Sequence, residues 1–371
     1  RWPMTLLMPL KGLMLRCASL SWVASSMGSE KAAKLTWVLP PAMARARSSS
    51  MARSSVPFRK ARSFSSSFRR PTGWPTRWTP PGPLRSRSPE VRTRVRQLDD
   101  ADLSQTIEFL SRAPVANVFL LSRIRQGGLD SARLGCPVHG VFRGGELVGL
   151  VHIGANLVPV IDDGRDSAVV DALASKIGRW RRSSSIMGAD VAVLPLYERL
   201  AQIGPDTWGR PREVRSCQPL LAMSDRPRVV PDARVVRINE RHFEPYFRAA
   251  VAMYTEEVGV SPLDPGDGYR RHMLELVRQG RGLGIVDDGD VRWKSDVAVT
   301  WGNVCQIQGV WMDPAWRGRG LAAPAMAAVV ELARRDHDTV SLYVNDFNTR
   351  ALRTYRRVGF ERIGTMATLL Y

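Results

Sequence analysis

The densest chemistry in this chain lies in Arg317-Gly318-Arg319-Gly320-Leu321-Ala322, inside QIQGVWMDPAWRGRGLAAPAMAAVVELA at residues 306–333. Glycines let a ligand approach the backbone with no Cβ in the way. A helix start leaves several N–H groups without partners and carries partial positive charge. Two arginines add full charge and can fork onto phosphate oxygens. Strand, basic glycine turn and helix start together make a cradle for a phosphate or pyrophosphate. The GxxxxGK[ST] loop is absent. Gly318, Gly320 and Ala323 give GxGxxA, but no acidic residue ends a following strand where a ribose would need it. The same residues also read as an Arg/Gly-rich surface turn before an ordinary helix.

The flanking residues must position that turn. Residues 306–312 carry β-favouring side chains at alternate places. They end at Asp313-Pro314, because proline cannot donate to a ladder and pushes its predecessor toward extended geometry. Leu321, Ala325, Ala328, Val329 and Leu332 then fall on one helical stripe. Around this core the pattern predicts a strand at 235–238, a helix at 243–258, a Pro/Gly-rich loop at 259–268 and a helix at 269–279. Strands at 284–286 and 293–300 are joined across Asp287-Asp288-Gly289-Asp290. A strand at 339–345, a helix at 348–358 with Gly359 as its C-cap, and a strand at 361–370 complete the half. The order β-α-α-β-β-β-α-β-α-β implies a mixed sheet with helices on both faces.

An earlier stretch opens on the same plan. Residues 94–98 read as a strand, followed by an acidic cap and a helix through Leu103, Ile107 and Leu110, a weak internal-repeat signal. Residues 139–152 form a hairpin across Gly144-Gly145. Residues 154–161 continue extended, 169–180 predict a helix and 190–195 a strand. No Arg/Gly-rich turn enters this helix, so a copy here has lost the cradle. Residues 210–231, with several Pro and Arg, read as a linker. The domains expected are an extension at 1–90, a degenerate domain at 91–225, a linker at 226–233 and a domain at 234–371.

The net charge of +19 over 371 residues suggests nucleic acid, but its distribution argues otherwise. Residues 1–94 hold 18 of the 54 basic and 2 of the 35 acidic residues, a local +16. Residues 1–90 are rich in Ser, Arg and Pro, which reads as a disordered or artefactual extension. A targeting sequence or a nucleic-acid-binding arm are the alternatives. No uncharged run there approaches the roughly 20 residues of a spanning helix, so a cytoplasmic protein with no membrane partner is expected. Four separated cysteines without a CxxC pair and five scattered histidines point to no metal site and no disulfide framework.

Order and motifs together resemble the GNAT-type N-acetyltransferase superfamily over residues 234–371. Residues 317–322, RGRGLA, match its Q/R-x-x-G-x-G/A pattern. Asn345-Asp346-Phe347-Asn348, Ala351, Tyr355 and Gly359-Phe360 match its N-x-x-A-x-x-x-Y-x-x-x-G-F ending. Pro114–Ile124 (PVANVFLLSRI) and GANLVPV at 154–160 resemble uncharacterised tandem members with a degenerate first half, and the ending is more distantly similar to mycothiol synthase. The resemblance implies an α/β fold with an α+β mixed sheet, the GNAT-type acyl-CoA N-acyltransferase fold, in two tandem copies.

It also implies a chemistry. Acetyl-CoA is the cosubstrate, its pyrophosphate held by Arg317, Gly318, Arg319, Gly320, Leu321, Ala322 and Ala323. Its arm runs along Val310, Trp311 and Met312 beside a bulge at Gly309, where a backbone N–H polarises the acetyl carbonyl. Asn345 and Asn348 contact the arm, although Asn348 also reads as a helix N-cap. Tyr355 stands where the family has the general acid for the departing thiolate, or is a core aromatic. Many relatives carry Glu on the bulged strand; Gln306 and Gln308 stand there instead. Glu256 and Glu257, or water relay to Asp296, are the remaining candidates for the base. The acceptor implied is a primary amine of a small molecule or peptide. The alternative is a non-catalytic acyl-CoA sensor. Nucleic acid is not an expected partner, and a monomer or homodimer is.

Overall fold

The computed structural model describes residues 93–263 and 266–371. The extension read at 1–90 and its Cys17 lie outside the described residues. The first half runs β1 (Arg94–Gln97), α1 (Leu103–Ser111), α2 (Val118–Gly127), β2 (Val138–Arg143), β3 (Glu146–Ile153), β4 (Asn156–Ile161), α3 (Ser167–Ile177), β5 (Ser185–Ala189), α4 (Asp190–Ile203) and β6 (Glu213–Met223). The second runs β7 (Val236–Arg237), α5 (Phe243–Val258), α6 (Gly268–Arg278), β8 (Gly282–Asp287), β9 (Asp290–Trp301), β10 (Val304–Met312), α7 (Ala322–Ala333), β11 (Thr339–Tyr343), α8 (Thr349–Val358) and β12 (Glu361–Leu370). One-turn helices aside, the two halves repeat one order, β-α-α-β-β-β-α-β-α-β. The fold is the two-copy mixed sheet that the sequence implies.

Tight turns are set by local chemistry. Gly144 and Gly145 both take positive φ between β2 and β3, as do Asp288 and Gly289 between β8 and β9. Two consecutive positive-φ residues match the twist of the strands they join. Gly359 (φ 121) ends α8 and turns the chain into β12.

All twelve strands belong to one sheet, ordered β1-β2-β3-β4-β5-β12-β6-β11-β10-β9-β8-β7. The halves therefore exchange their last strands. β12 pairs antiparallel with β5 of the first half, and β6 pairs antiparallel with β11 of the second. The two exchanged strands also pair with each other from Glu361↔Ala222 to Leu370↔Glu213. The cores mix accordingly. Leu221 and Met223 of β6 pack among Val340, Leu342 and Val358, while Ala367 and Leu369 of β12 pack among Ile186, Val193 and Leu196. Truncating a fully buried leucine such as Leu369 costs about 2–5 kcal/mol.

Two expectations are corrected. Residues 190–195 are not a strand but the first turns of α4, and the strand lies just upstream at Ser185–Ala189. Burial of Ala192, Val193, Leu196 and Leu200 outweighs the poor helix propensity of a Val- and Pro-containing run. Pro195 cannot donate to Val191, and that carbonyl instead lies hard against Gly164, where a Cβ would sit 1.8 Å away. Residues 210–231 are not all linker, since 213–223 form β6 in the middle of the sheet. Its polar residues face a cavity rather than solvent, and its pairing partners lie far away in sequence.

Candidate active site

β10 and β11 run parallel and pair only at Val304↔Thr339, Cys305↔Val340 and Gln306↔Ser341. β10 continues to Met312 and β11 to Tyr343, so the sheet splits between them. On its other side β10 slips register against β9 between Gln308↔Asp296 and Trp311↔Lys294. That is the bulge expected at Gly309, which takes φ 60. A Cβ at Gly309 would lie 2.4 Å from the Asp296 carboxylate and 2.8 Å from Lys294 Nζ. Lys294 is fully buried; its ammonium donates to Gly309 O at 2.9 Å and to Asp296 Oδ2 at 2.8 Å. Asp296 also accepts from the Tyr246 hydroxyl. A buried, hydrogen-bonded charge pair thus fastens the bulge from beneath.

A cavity of about 1130 Å³ opens at the split. Val310, Trp311, Met312, Arg317, Gly318, Gly320, Leu321, Ala322, Ala323, Asn345, Asn348 and Tyr355 line it, and so do Glu256 and Glu257. Arg319 is exposed and lies outside the lining. Gly318 (φ 78) and Gly320 (φ 75) need the left-handed region, and open space surrounds the place where a Cβ would stand. Among the described residues, no protein acceptor takes the backbone N–H of any residue from Gly318 to Ala323. An anion bridging that row would satisfy donors that the fold leaves open.

Arg317 is already engaged. Its guanidinium forks onto Glu256 with both N···O distances at 2.7 Å, and its Nε donates to Met312 O at 2.9 Å. Trp311 Nε1 donates to the same carboxylate at 3.3 Å. Arg317 holds the Glu256 carboxyl below the usual range, so Glu256 is a committed ion-pair partner. Both glutamates belong to the last turn of α5, not to the loop after it.

α8 forms another wall. Asn348 caps it, its Oδ1 accepting from Ala351 N at 3.2 Å, while the residue also lines the cavity. The two readings of Asn348 hold together. Tyr355 packs edge-on to Phe360 at 5.9 Å, and burial pushes its phenol far up, keeping it protonated. Arg350, Arg353 and Arg357 line the cavity from the same helix. Their spacing of three and four in TRALRTYRR is the signal that puts all three on one side of the helix.

The far end draws on the first half. Arg215 of β6 has only 8% of its side chain accessible. It donates from Nε to Glu213 Oε1 at 2.7 Å and from NH2 to the Glu257 carbonyl oxygen at 3.3 Å, and its NH1 lies 3.5 Å from the Glu257 carboxylate. Glu257 keeps 34% of its side chain open to the cavity. Burial nonetheless raises its pKa, against the lowering pull of Arg215. Gln218 of β6 donates to Asn345 Oδ1 at 2.8 Å and accepts from Thr368 of β12 at 2.7 Å. Gln308 lines the cavity and donates to Gln306 Oε1 at 2.8 Å. Asp296 is buried outside the lining, directly behind Gly309, with Tyr246 and Lys294 as partners.

A parallel pair opened by a bulge, with unpartnered amides of a glycine turn at its mouth, is the architecture of an acyltransferase domain. Residues 279–360, within the second half, match the model described as Acetyltransferase (GNAT) family. Residues 136–246 match a Domain of unknown function (DUF4081). An acetyltransferase of Agrobacterium fabrum is 36% identical over 63 residues, 17% of this chain. The match spans 45% of that relative's length. Among solved structures, a GCN5-related N-acetyltransferase from Sphaerobacter thermophilus aligns at TM-score 0.51 and 17% identity. It covers 75% of this chain and 94% of its own. A Drosophila protein aligns at TM-score 0.51 and 15% identity, over 75% and 98%. Three quarters of the chain exceeds either half, so the shared fold spans both. Among the described residues, no helix is long and apolar enough to cross a membrane, and no group of His, Cys, Asp and Glu could hold a metal ion.

Proposed function

We propose that the protein is an acetyl-CoA-dependent N-acetyltransferase acting on a primary amine, with its chemistry in the second half. The observation that carries this reading is the row of acceptor-free amides from Gly318 to Ala323 beside strands split at a pinned bulge. Such amides and a helix start suit a pyrophosphate, and Arg350, Arg353 and Arg357 add cationic charge to the same cavity. Arg317 joins them once it leaves Glu256. Acetyl-CoA supplies an acetyl group activated as a thioester.

Each residue then has a task. Val310 and Met312, just past the bulge, present backbone to the acetyl carbonyl. Glu257 takes the proton that the acceptor ammonium must lose before its nitrogen can attack, and its raised pKa suits it to that task. Tyr355, protonated in its buried position, gives a proton to the sulfur as the C–S bond breaks. The attacking nitrogen gives up its second proton as the adduct collapses and the tyrosinate regains one, so that amide and free thiol leave and the proton held by Glu257 returns to solvent. Asn345 and Asn348 bound the arm's channel, and a cytoplasmic setting supplies the donor.

Titration calorimetry tests the reading. Acetyl-CoA is expected to bind the wild type with one site per chain and not to bind Gly320→Glu; no heat in the wild type rejects it. A second reading, an acyl-CoA sensor without turnover, draws support from Gln306, Gln308 and the engaged Glu256. One amine that releases free coenzyme A catalytically ends that alternative.

A further inference from the structure

Strand exchange brings a polar group of the first half into the cavity of the second. β6 carries Glu213, Arg215 and Gln218 along the cavity, and each lines it. Arg215 is the central one. Its Nε and NH2 both donate to the Glu213 carboxylate, at 2.7 and 3.2 Å, and NH2 also reaches the end of α5. Its fork is therefore spent on protein acceptors and is not open to a carboxylate arriving from solution. Two carboxylates, Glu213 and Glu257, share this one guanidinium, leaving the end of the cavity with a net negative charge. Arg350, Arg353 and Arg357 line the same cavity from α8. The cavity thus offers cations for an anionic donor and a pair of carboxylates for the acceptor.

We propose that the exchanged strand β6 builds the acceptor subsite, that Arg215 is a positioning residue for Glu257, and that the acceptor is an amine carrying a second positive charge. The proposal rests on the acetyltransferase reading above and adds the substrate's charge class. Besides Glu213 and Arg215 from β6, Tyr343 from β11 and Tyr355 from α8 line the cavity with Glu257, while Lys294 of β9, Tyr254 and Tyr269 are buried outside that lining. The phenols present neutral aromatic surface, which suits an ammonium. Lys294 is spent on Asp296 and Gly309. Glu213 supplies the second carboxylate, for the second ammonium.

Three amines of one length separate the charge classes: 1,5-diaminopentane, 1-aminopentane and 5-aminopentanoate. Each is titrated into the full chain saturated with coenzyme A, and heat of binding is read. The diamine should bind about tenfold tighter than the monoamine, and the amino acid should bind weakest. Glu213→Gln should erase the advantage of the diamine over the monoamine. Equal affinities, a preference for the carboxylate, or no binding of any of the three overturns the proposal. Failure of coenzyme A or acetyl-CoA to bind strikes instead at the acetyltransferase reading.

The role of Arg215 is read from pH. Diamine binding should weaken as pH falls and Glu257 takes a proton. Arg215→Gln removes the cation that favours the carboxylate, so the weakening should begin at higher pH, and Arg215→Lys should restore most of the wild-type profile. A profile unmoved in Arg215→Gln removes Arg215 from the subsite. Donor titration and circular dichroism of each variant report folding, and Glu257→Gln, open to the cavity, gives an independent variant in which the pH dependence should vanish.

Discussion

The two helix starts that follow β4 and β10 occupy the same place in the repeated order and have opposite chemistry. Before α7 the turn is Arg317-Gly318-Arg319-Gly320, and its amides have no protein acceptor. Before α3 the turn is Asp162-Asp163-Gly164-Arg165-Asp166. There Asp166 accepts from Val169 N at 3.3 Å and pairs with Arg143 at 2.7 Å, and Asp163 accepts from Arg165 N at 2.9 Å. The first half has filled its own anion position with a side-chain carboxylate. It has filled the neighbouring gap as well, since Gly188 of β5 lies against Pro159 O and the Val193 side chain of α4. One topology therefore yields an open turn with free amides or a packed one, according to whether the turn brings its own negative charge.

Changes in each half can break or sharpen that contrast. The largest effect is expected at Lys294→Met, because the first half has no buried lysine among its described residues and the second depends on one. Asp296 would be left buried with its cation gone, costing about 3–5 kcal/mol in denaturant unfolding. Gly320→Glu imitates the first half by bringing an acid to the turn, in a backbone that side chains avoid. Acetyl-CoA affinity should fall by more than about a hundredfold, or roughly 2.7 kcal/mol. Tyr355→Phe should lower turnover by about a hundredfold with donor affinity unchanged, which calorimetry and coenzyme A release together would separate.

Smaller effects probe the first half and the latch. Asp166→Ala removes the carboxylate that caps α3, and thermal unfolding should register about 1 kcal/mol. Donor stoichiometry should stay at one, because Val193 still fills the gap; a second site would undo the contrast. Glu256→Gln frees Arg317 from an exposed pair, a change worth about 0.2–1 kcal/mol, and donor affinity should rise by a fewfold at most. With pH, turnover should fall as acidity protonates Glu257. The fall should begin above the ordinary carboxylate range, since burial raises that pKa.

Local signals carried much of this into the sequence. The hairpins were legible from Gly144-Gly145 and Asp288-Gly289 and the cradle from RGRG before a helical stripe, while the bulge at Gly309 came with the resemblance. Each depends on neighbours within a few residues. What stayed hidden depends on distant pairing. β6 reads as Pro- and Arg-rich connection because its polar side face is covered by a cavity rather than by water, and its ladder partners lie more than a hundred residues downstream. Arg215 therefore gave no signal as a site residue. Lys294 was equally silent, since a lysine in a strand reads as solvent-facing unless the bulge carbonyl and Asp296 are known to meet it. α4 was misread because its burial overrode its propensity.

Exchange of β6 and β12 also sets a timetable. During synthesis β5 emerges long before β12, the strand it pairs with, so one edge of the first half stays open until the second half has been made. A nascent first half exposes unpaired backbone at that edge, the condition under which strands pair with the wrong chain. The pairing that closes that edge joins residues more than 170 apart, a long-range contact of the kind that slows folding. The first half thereby completes its sheet only with a strand supplied by the second.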